Sequence, residues 1–193
     1  PEECERALKP RSLDTHKGTY GRVLVVAGAP GMAGAGALAA RGALRGGAGL
    51  VTVGAPDSVS GIIASLVIEA MIRPYASDGD GQLALSAKTG LLALAESADV
   101  IAVGPGMGTS EETQQLVREI VVGSPAPVVL DADGLNAFAG NPEALRGVKP
   151  PCVLTPHPGE LARLLSMSTA EAQADRLAAV RLLAARSGSI VIL

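Results

Sequence analysis

RVLVVAGA, residues 22–29, is a continuous run of β-branched and aliphatic residues that closes on Gly28 and Ala29. A strand buried on both faces of a sheet reads this way, whereas a strand with one wet face alternates apolar and polar residues. The next stretch, GMAGAGALAARGALRGGAG (31–49), has the small residues of a helix pressed tightly against that strand. Its glycines lower helix propensity, so close packing or approach of the backbone to a ligand is the better reason for them. LVTVGAP (50–56) is then a second strand, and PDSVSGIIASL (56–66) starts a second helix, with Asp57 or Ser58 as its N-cap.

The same rhythm continues outward. LVIEAMIRPY (66–75) reads as a strand, SDGDGQ (77–82) as a surface loop with strong turn chemistry, and LSAKTGLLALAESA (85–98) as a helix. DVIAVGPG (99–106) is a strand, and SEETQQLVREIVV (110–122) a helix with Ser110 as N-cap and acids in its first turn. PVVLDAD (127–133) is a strand, and CVLTPHPGE (152–160) is a strand running through a turn into a helix start. An alanine-rich helix over 169–186, ending near Arg186 and Gly188, feeds a closing strand, SIVIL (189–193). Strands alternating with helices predict an α/β fold: a mainly parallel sheet between helical layers, with right-handed crossovers and ligand sites beyond the carboxyl ends of the strands.

Composition agrees with one domain. The chain has 193 residues, 48% of them hydrophobic but only 2% aromatic, so its core is expected to be built from Ala, Val, Leu and Ile. Sixteen basic against nineteen acidic side chains give a net charge of −3 without a basic cluster, which argues against a nucleic-acid partner. Gly, Arg or Pro interrupts every apolar run before it could span a bilayer, so no membrane partner is expected. Cys4 and Cys152 are far apart and signal neither a disulfide framework nor a zinc site, which fits a reducing cytoplasm.

Four polar or glycine-rich stretches fall immediately after predicted strands: AGAPGMAGAG (27–36), GPGMG (104–108), DADGLN (131–136) and TPHPGE (155–160). The first lacks the register of a dinucleotide fingerprint and the Lys-Ser/Thr end of a P-loop. GPGMG gives a ligand room to approach the backbone, and it precedes a helix start where exposed amides can hold an anion; a purely structural turn would look the same. Asp131 and Asp133 point to one side if both are extended, and carboxylates so placed suit Mg²⁺, although Asp133 or Asn136 could equally cap the next helix. In TPHPGE two prolines fix the backbone around His157 and present its imidazole rigidly for stacking or hydrogen bonding. The other histidine, His16 in THKGTYG, fits an ordered loop on the sheet rim at least as well as catalysis. Neither a G-x-S-x-G elbow nor a paired-histidine metal motif is present, which counts against hydrolase chemistry.

HKGTYGRVLVVAGAPGMAGAGALAARGALRGGAGLVTV (16–53), DVIAVGPGMG (99–108), PVVLDADGLN (127–136) and CVLTPHPGELARL (152–164), in this order and spacing, closely resemble the ADP- or ATP-dependent NAD(P)H-hydrate dehydratases of the ribokinase-like superfamily. The resemblance runs from about Arg11 to the end of the chain and implies a three-layer αβα, ribokinase-like architecture. It implies a repair enzyme that dehydrates the S form of NAD(P)H-hydrate, using ADP or ATP and Mg²⁺ to phosphorylate the added hydroxyl before phosphate leaves. It implies substrate contacts at Ala35, Gly106, Gly108 and His157, and a nucleotide and metal region at Asp131, Asn136 and Glu160. A homo-oligomer, often a tetramer, and an epimerase domain fused upstream are also compatible with it.

The sequence departs from the family at two places. Relatives commonly have proline before the glutamate of LVIEAM (66–71). Members also continue past a strand like SIVIL into a Lys-Gly turn, a nucleotide-contacting loop and a G-T-G-D segment that supplies an anion hole and the general-base aspartate. The expectation is therefore a single, C-terminally incomplete domain over 1–193, with its general base beyond Leu193 and little activity alone. Two other readings are a ribokinase-like vitamin or small-molecule kinase and a fragment that binds NAD(P)H-hydrate without catalysis. The HKG-x-x-G lead and the GAG-L-V-T-V segment favour the dehydratase over the kinase.

Overall fold

A computed structural model describes residues 14–193. Cys4 and Arg11, where the resemblance starts, lie outside the described residues. Seven strands form one sheet: β1 Arg22–Val26, β2 Leu50–Pro56, β3 Met71–Tyr75, β4 Val100–Val103, β5 Val128–Leu130, β6 Cys152–Leu154 and β7 Ile190–Val191. Their order is β3-β2-β1-β4-β5-β6-β7, and every neighbouring pair is parallel. The chain leaves β1 towards β2 and β3 on one side and returns to β4 on the other, so β1 and β4 flank the topological switch point.

The helices are α1 Ala33–Arg45, α2 Asp57–Leu66, α3 Lys88–Ala95, α4 Glu111–Gly123, α5 Asp133–Asn136, α6 Pro158–Leu165, α7 Thr169–Ala174 and α8 Arg176–Ser187. Successive residues of β1 feed opposite faces of the sheet. Val25 packs with Ala33, Ala37 and Ala40 of α1 and with Val59 and Ile63 of α2. Leu24 and Val26 join the larger core, which includes Leu91 of α3, Leu116 of α4 and Leu161 of α6. This is the αβα sandwich expected, and its core is aliphatic, with Phe138, the chain's one phenylalanine, buried among leucines.

Differences from the sequence reading are local and have physical causes. Leu66 ends α2, and Val67 donates its amide to Ile63 O, so the first half of the apolar run 66–75 completes a helix and turn before β3 begins at Met71. The predicted helix over 169–186 is two, because Asp175 leaves helical geometry (φ −141°, ψ 83°) and its side chain caps α8 by accepting from Ala178 N. Neither Asp57 nor Ser58 caps α2: Pro56 holds the N-cap position, Asp57 lies in the first turn, and Ser58 donates to Gly81 O. Ser110 does cap α4, accepting from Thr113 N, and Gly188 ends α8 in the left-handed region. No described helix is long and apolar enough to cross a membrane.

Candidate functional site

The register fixes where the four loops start. Val26 pairs with Val103, Val103 with Leu130, and Leu130 with Leu154, so β1, β4, β5 and β6 end on one row across the sheet. Ala27, Gly104, Asp131 and Thr155 are the next residues, and all four stretches singled out above leave from this carboxyl rim. His16 is elsewhere. The turn Lys17–Tyr20 precedes β1, and a Cβ on Gly49, just before β2, would overlap Lys17 O, which puts this segment at the amino end of the sheet.

Loops from β1 and β4 are joined directly, since Gly28 donates to Pro105 O at 3.0 Å. Gly106, at φ +61°, packs on the start of α1: a Cβ there would stand 2.8 Å from Ala35 Cβ and 3.0 Å from Met32 Cβ. Gly104, at φ +126°, packs on the next loop, where a Cβ would overlap Asp131 O. Both glycines are needed for conformation and for space.

The chain leaves extended geometry between the two aspartates. Ala132 has φ 51° and ψ −122°, a costly backbone for a non-glycine residue, and Asp133 begins α5. Asp131 and Asp133 therefore do not share a strand face, and they take different partners. Asp131 Oδ1 accepts from Thr155 Oγ1 at 2.9 Å, tying β5 to β6. Asp133 Oδ2 accepts from Gly108 N at 2.9 Å, and its Oδ1 accepts from Asn136 Nδ2 at 3.2 Å. Asn136 Oδ1 in turn accepts from Arg163 Nε of α6 at 3.0 Å. The amide of Gly108, expected to be open to a ligand, is committed to Asp133.

His157 is the N-cap of α6, a place usually held by a short oxygen-bearing side chain. Its Nδ1 accepts from Gly159 N at 3.0 Å, and its backbone N–H donates to Glu160 Oε2 at 2.8 Å. Nε2 lies 3.3 Å from Glu160 Oε1, so the imidazole, whose side chain is 63% exposed, is held by contacts with its own helix. Gly159 makes the room, because a Cβ there would meet His157 Cε1 at 2.9 Å. Glu160 is buried, and both its carboxylate oxygens face His157.

The family model for NAD(P)H-hydrate dehydratase matches residues 23–193. The chain belongs to the NAD(P)H-hydrate dehydratase family. Among its relatives, the bifunctional NAD(P)H-hydrate repair enzyme Nnr of Moorella thermoacetica is 45% identical over 174 residues, which is 90% of this chain and 33% of that protein. The Nnr of Escherichia coli is 35% identical over 192 residues, 100% of this chain and 34% of its own length. The chain thus spans about a third of the curated relatives it matches. The Bacillus subtilis ADP/ATP-dependent NAD(P)H-hydrate dehydratase, crystallised with ATP and Mg²⁺, superposes with a TM-score of 0.76 at 32% identity, over 100% of this chain and 65% of that one. A ribokinase-like superfamily protein from Enterococcus faecalis also superposes at 0.76, with 25% identity, 95% coverage of this chain and 61% of that one.

Against the NAD(P)H-hydrate dehydratase resemblance, the structure brings Ala35 and Gly106 into contact, ties Gly108 and Asn136 to one carboxylate, and ties Asp131 to the TPHPGE strand through Thr155. Glu160 is turned to the helix start at His157. Among the described residues no cluster of three or more His, Cys, Asp and Glu side chains could hold a metal ion.

Sequence reading passed over Asp78, Gln82, Thr155 and Arg163. The segment 77–82 read only as a loop, yet Asp78 Oδ1 accepts from the amides of Asp80 at 2.9 Å and Gln82 at 2.8 Å. An aspartate followed two and four residues later by turn amides is the signal that could have shown an ordered loop.

Proposed function

We propose that this chain carries the substrate-binding part of an ADP- or ATP-dependent dehydratase that returns the S form of NAD(P)H-hydrate to NAD(P)H. One observation carries the reading: Gly106 lies on Ala35, so residues from two loops that the resemblance assigns to the substrate meet at the switch point of a parallel sheet. Small Ala35 and side-chain-free Gly106 let the substrate approach the backbone. Gly108, without a side chain, lets the Gln82 amide pack against it, and its own amide donates to Asp133. His157 presents an oriented, exposed imidazole for stacking or hydrogen bonding against the hydrated nicotinamide.

Asp131 would hold Mg²⁺ with water and phosphate oxygens, and Asn136 would stand beside the nucleotide's phosphates. The bound nucleotide supplies the phosphoryl group that turns the added hydroxyl into a leaving group. Glu160 acts indirectly by fixing His157. The reading also places the protein in the cytoplasm as a homo-oligomer, and Leu38 of α1 and Ile68 in the turn after α2, 70% and 84% exposed, are apolar surface that assembly would cover.

The test is conversion of NADH-hydrate to NADH, followed by reduced-nicotinamide absorbance, with Mg²⁺ and ADP or ATP. It is run on the 193-residue chain and on the full-length product of its gene. Turnover in either form that depends on the nucleotide supports the reading. Phosphorylation of a vitamin alcohol, with no turnover of the hydrate in either form, would replace it with the kinase reading.

A further inference from the structure

The segment Ser77–Leu83 is more than a surface turn. Ser77 and Leu83 form an antiparallel bridge, and the hairpin they close is fastened to two helix starts. On one side Ser58 donates to Gly81 O at 2.6 Å, and Ser77 bonds Asp57. On the other Ser110 Oγ donates to Asp78 Oδ2 at 2.5 Å, and Thr113 Oγ1, fully buried, donates to Leu83 O at 2.9 Å. The hairpin also touches both substrate loops: a Cβ on Gly81 would meet Pro30 Cγ at 2.7 Å, and one on Gly108 would run into the Gln82 amide.

The orientation of that amide is decided by its partner. Ser110 N needs an acceptor, so the Gln82 atom 3.0 Å away is Oε1, and the other end of the amide is the Nε2 donor. Nε2 lies 2.8 Å from the point where a Gly108 Cβ would stand. It bonds no other described residue and is not sealed from solvent. Gln82 is therefore a side chain held at one end by the α4 cap, with a free donor at the other end beside Gly108.

We propose that Gln82 is a further substrate-contacting residue, whose Nε2 donates to an acceptor oxygen on the hydrated nicotinamide ring, either the carboxamide or the added hydroxyl. The proposal rests on the dehydratase reading. Asp78 and Ser110 are positioning residues for this contact. Asp78 closes the hairpin, and Ser110 gives its backbone N–H to Gln82 and its hydroxyl to Asp78.

Two variants separate a ligand contact from a packing role. Gln82→Glu keeps an oxygen for Ser110 N but removes the donor, and Gln82→Met removes both polar atoms without adding charge. Binding of NADH-hydrate, NADH and ADP-ribose is measured by calorimetry on the 193-residue chain and on each variant. The contact predicts that both variants weaken NADH-hydrate by about tenfold while ADP-ribose, which has the phosphates but no nicotinamide, changes by less than about twofold. An equal loss for NADH assigns the carboxamide as acceptor, and no loss for NADH assigns the added hydroxyl. Wild-type affinity for the hydrate in Gln82→Met, or an equal loss for ADP-ribose in both variants, would overturn the contact. A wild-type chain that binds no hydrate at all would instead overturn the functional reading on which it rests.

Discussion

Gly106 and Ala35 touch across the switch point so closely that the glycine has no space for a methyl group, whose carbon would stand 2.8 Å from Ala35 Cβ. Gly106→Ala would add that clash to a backbone at φ +61°, where an L side chain is strained. The two effects together are expected to cost about 1–3 kcal/mol in denaturant unfolding and to weaken hydrate binding with it. A Gly106→Ala variant that binds hydrate as well as the wild type does would mean that this contact is packing alone.

Asp133 joins three elements: it accepts from Gly108 in the loop after β4 and from Asn136 in α5, and Asn136 accepts from Arg163 in α6. Asp133→Ala would leave a buried Gly108 N–H without its acceptor, at a cost of about 1–3 kcal/mol. Asp133→Asn keeps an oxygen for that amide and should recover most of the loss. Urea unfolding of the two variants side by side checks this, and equal stability in both would dismiss the network.

Burial pushes the Asp78 carboxyl up, but bonds from Ser110 Oγ, Gln82 N and Asp80 N outweigh it and hold the group below the ordinary carboxylate range. The contribution of a group lowered in this way is complete above its unfolded value of about 3.9 and is lost as pH falls through the lower folded value. Hydrogen-exchange protection of the Gln82 amide should therefore be steady near neutrality and fall below about pH 4, ahead of the strand amides of β1. Loss of protection near neutral pH would contradict the tie to Ser110.

Cys152 lies buried on β6, and its burial, only partly offset by a hydrogen bond with Ser189, raises the thiol to about 11. Because the thiolate is the reactive form, native Cys152 should resist a disulfide reagent at about pH 8 and react on unfolding in urea. The linkage runs opposite to that of Asp78: this contribution is complete below the unfolded thiol value of about 8.5 and fades as pH rises through about 11. A Cys4→Ser background isolates the one thiol, and prompt reaction of the folded protein would contradict its burial.

The sheet was legible because buried parallel strands are written as uninterrupted apolar runs, RVLVV being the plainest. The loops were legible because glycine and polar residues stand out at the ends of such runs. Boundaries were not legible where a tertiary or capping effect decided them. Leu66 and Val67 have strand-like side chains but finish a helix, and Asp175 interrupts a sequence whose alanines would otherwise carry one helix through. In the site, the fate of the carboxylates depended on a single backbone turn at Ala132, which no propensity predicts. Glu160, which the resemblance puts in the nucleotide and metal region, stands three residues after the N-cap His157 and closes a capping box with it, a pairing that the motif alone does not announce. Gln82 was invisible because its partner Ser110 is distant in sequence and meets it only after β4 and the hairpin share one rim.

The central claim is that the rim formed by Ala35, Gly106, Gly108 and His157 receives hydrated nicotinamide. Calorimetric titration of the chain with the separated S and R forms of NADH-hydrate tests it most directly. The account predicts one site per chain that prefers the S form and is weakened by about tenfold in His157→Ala, the loss of one oriented side-chain contact. Equal binding of the two forms, or a site untouched by His157→Ala, would contradict it.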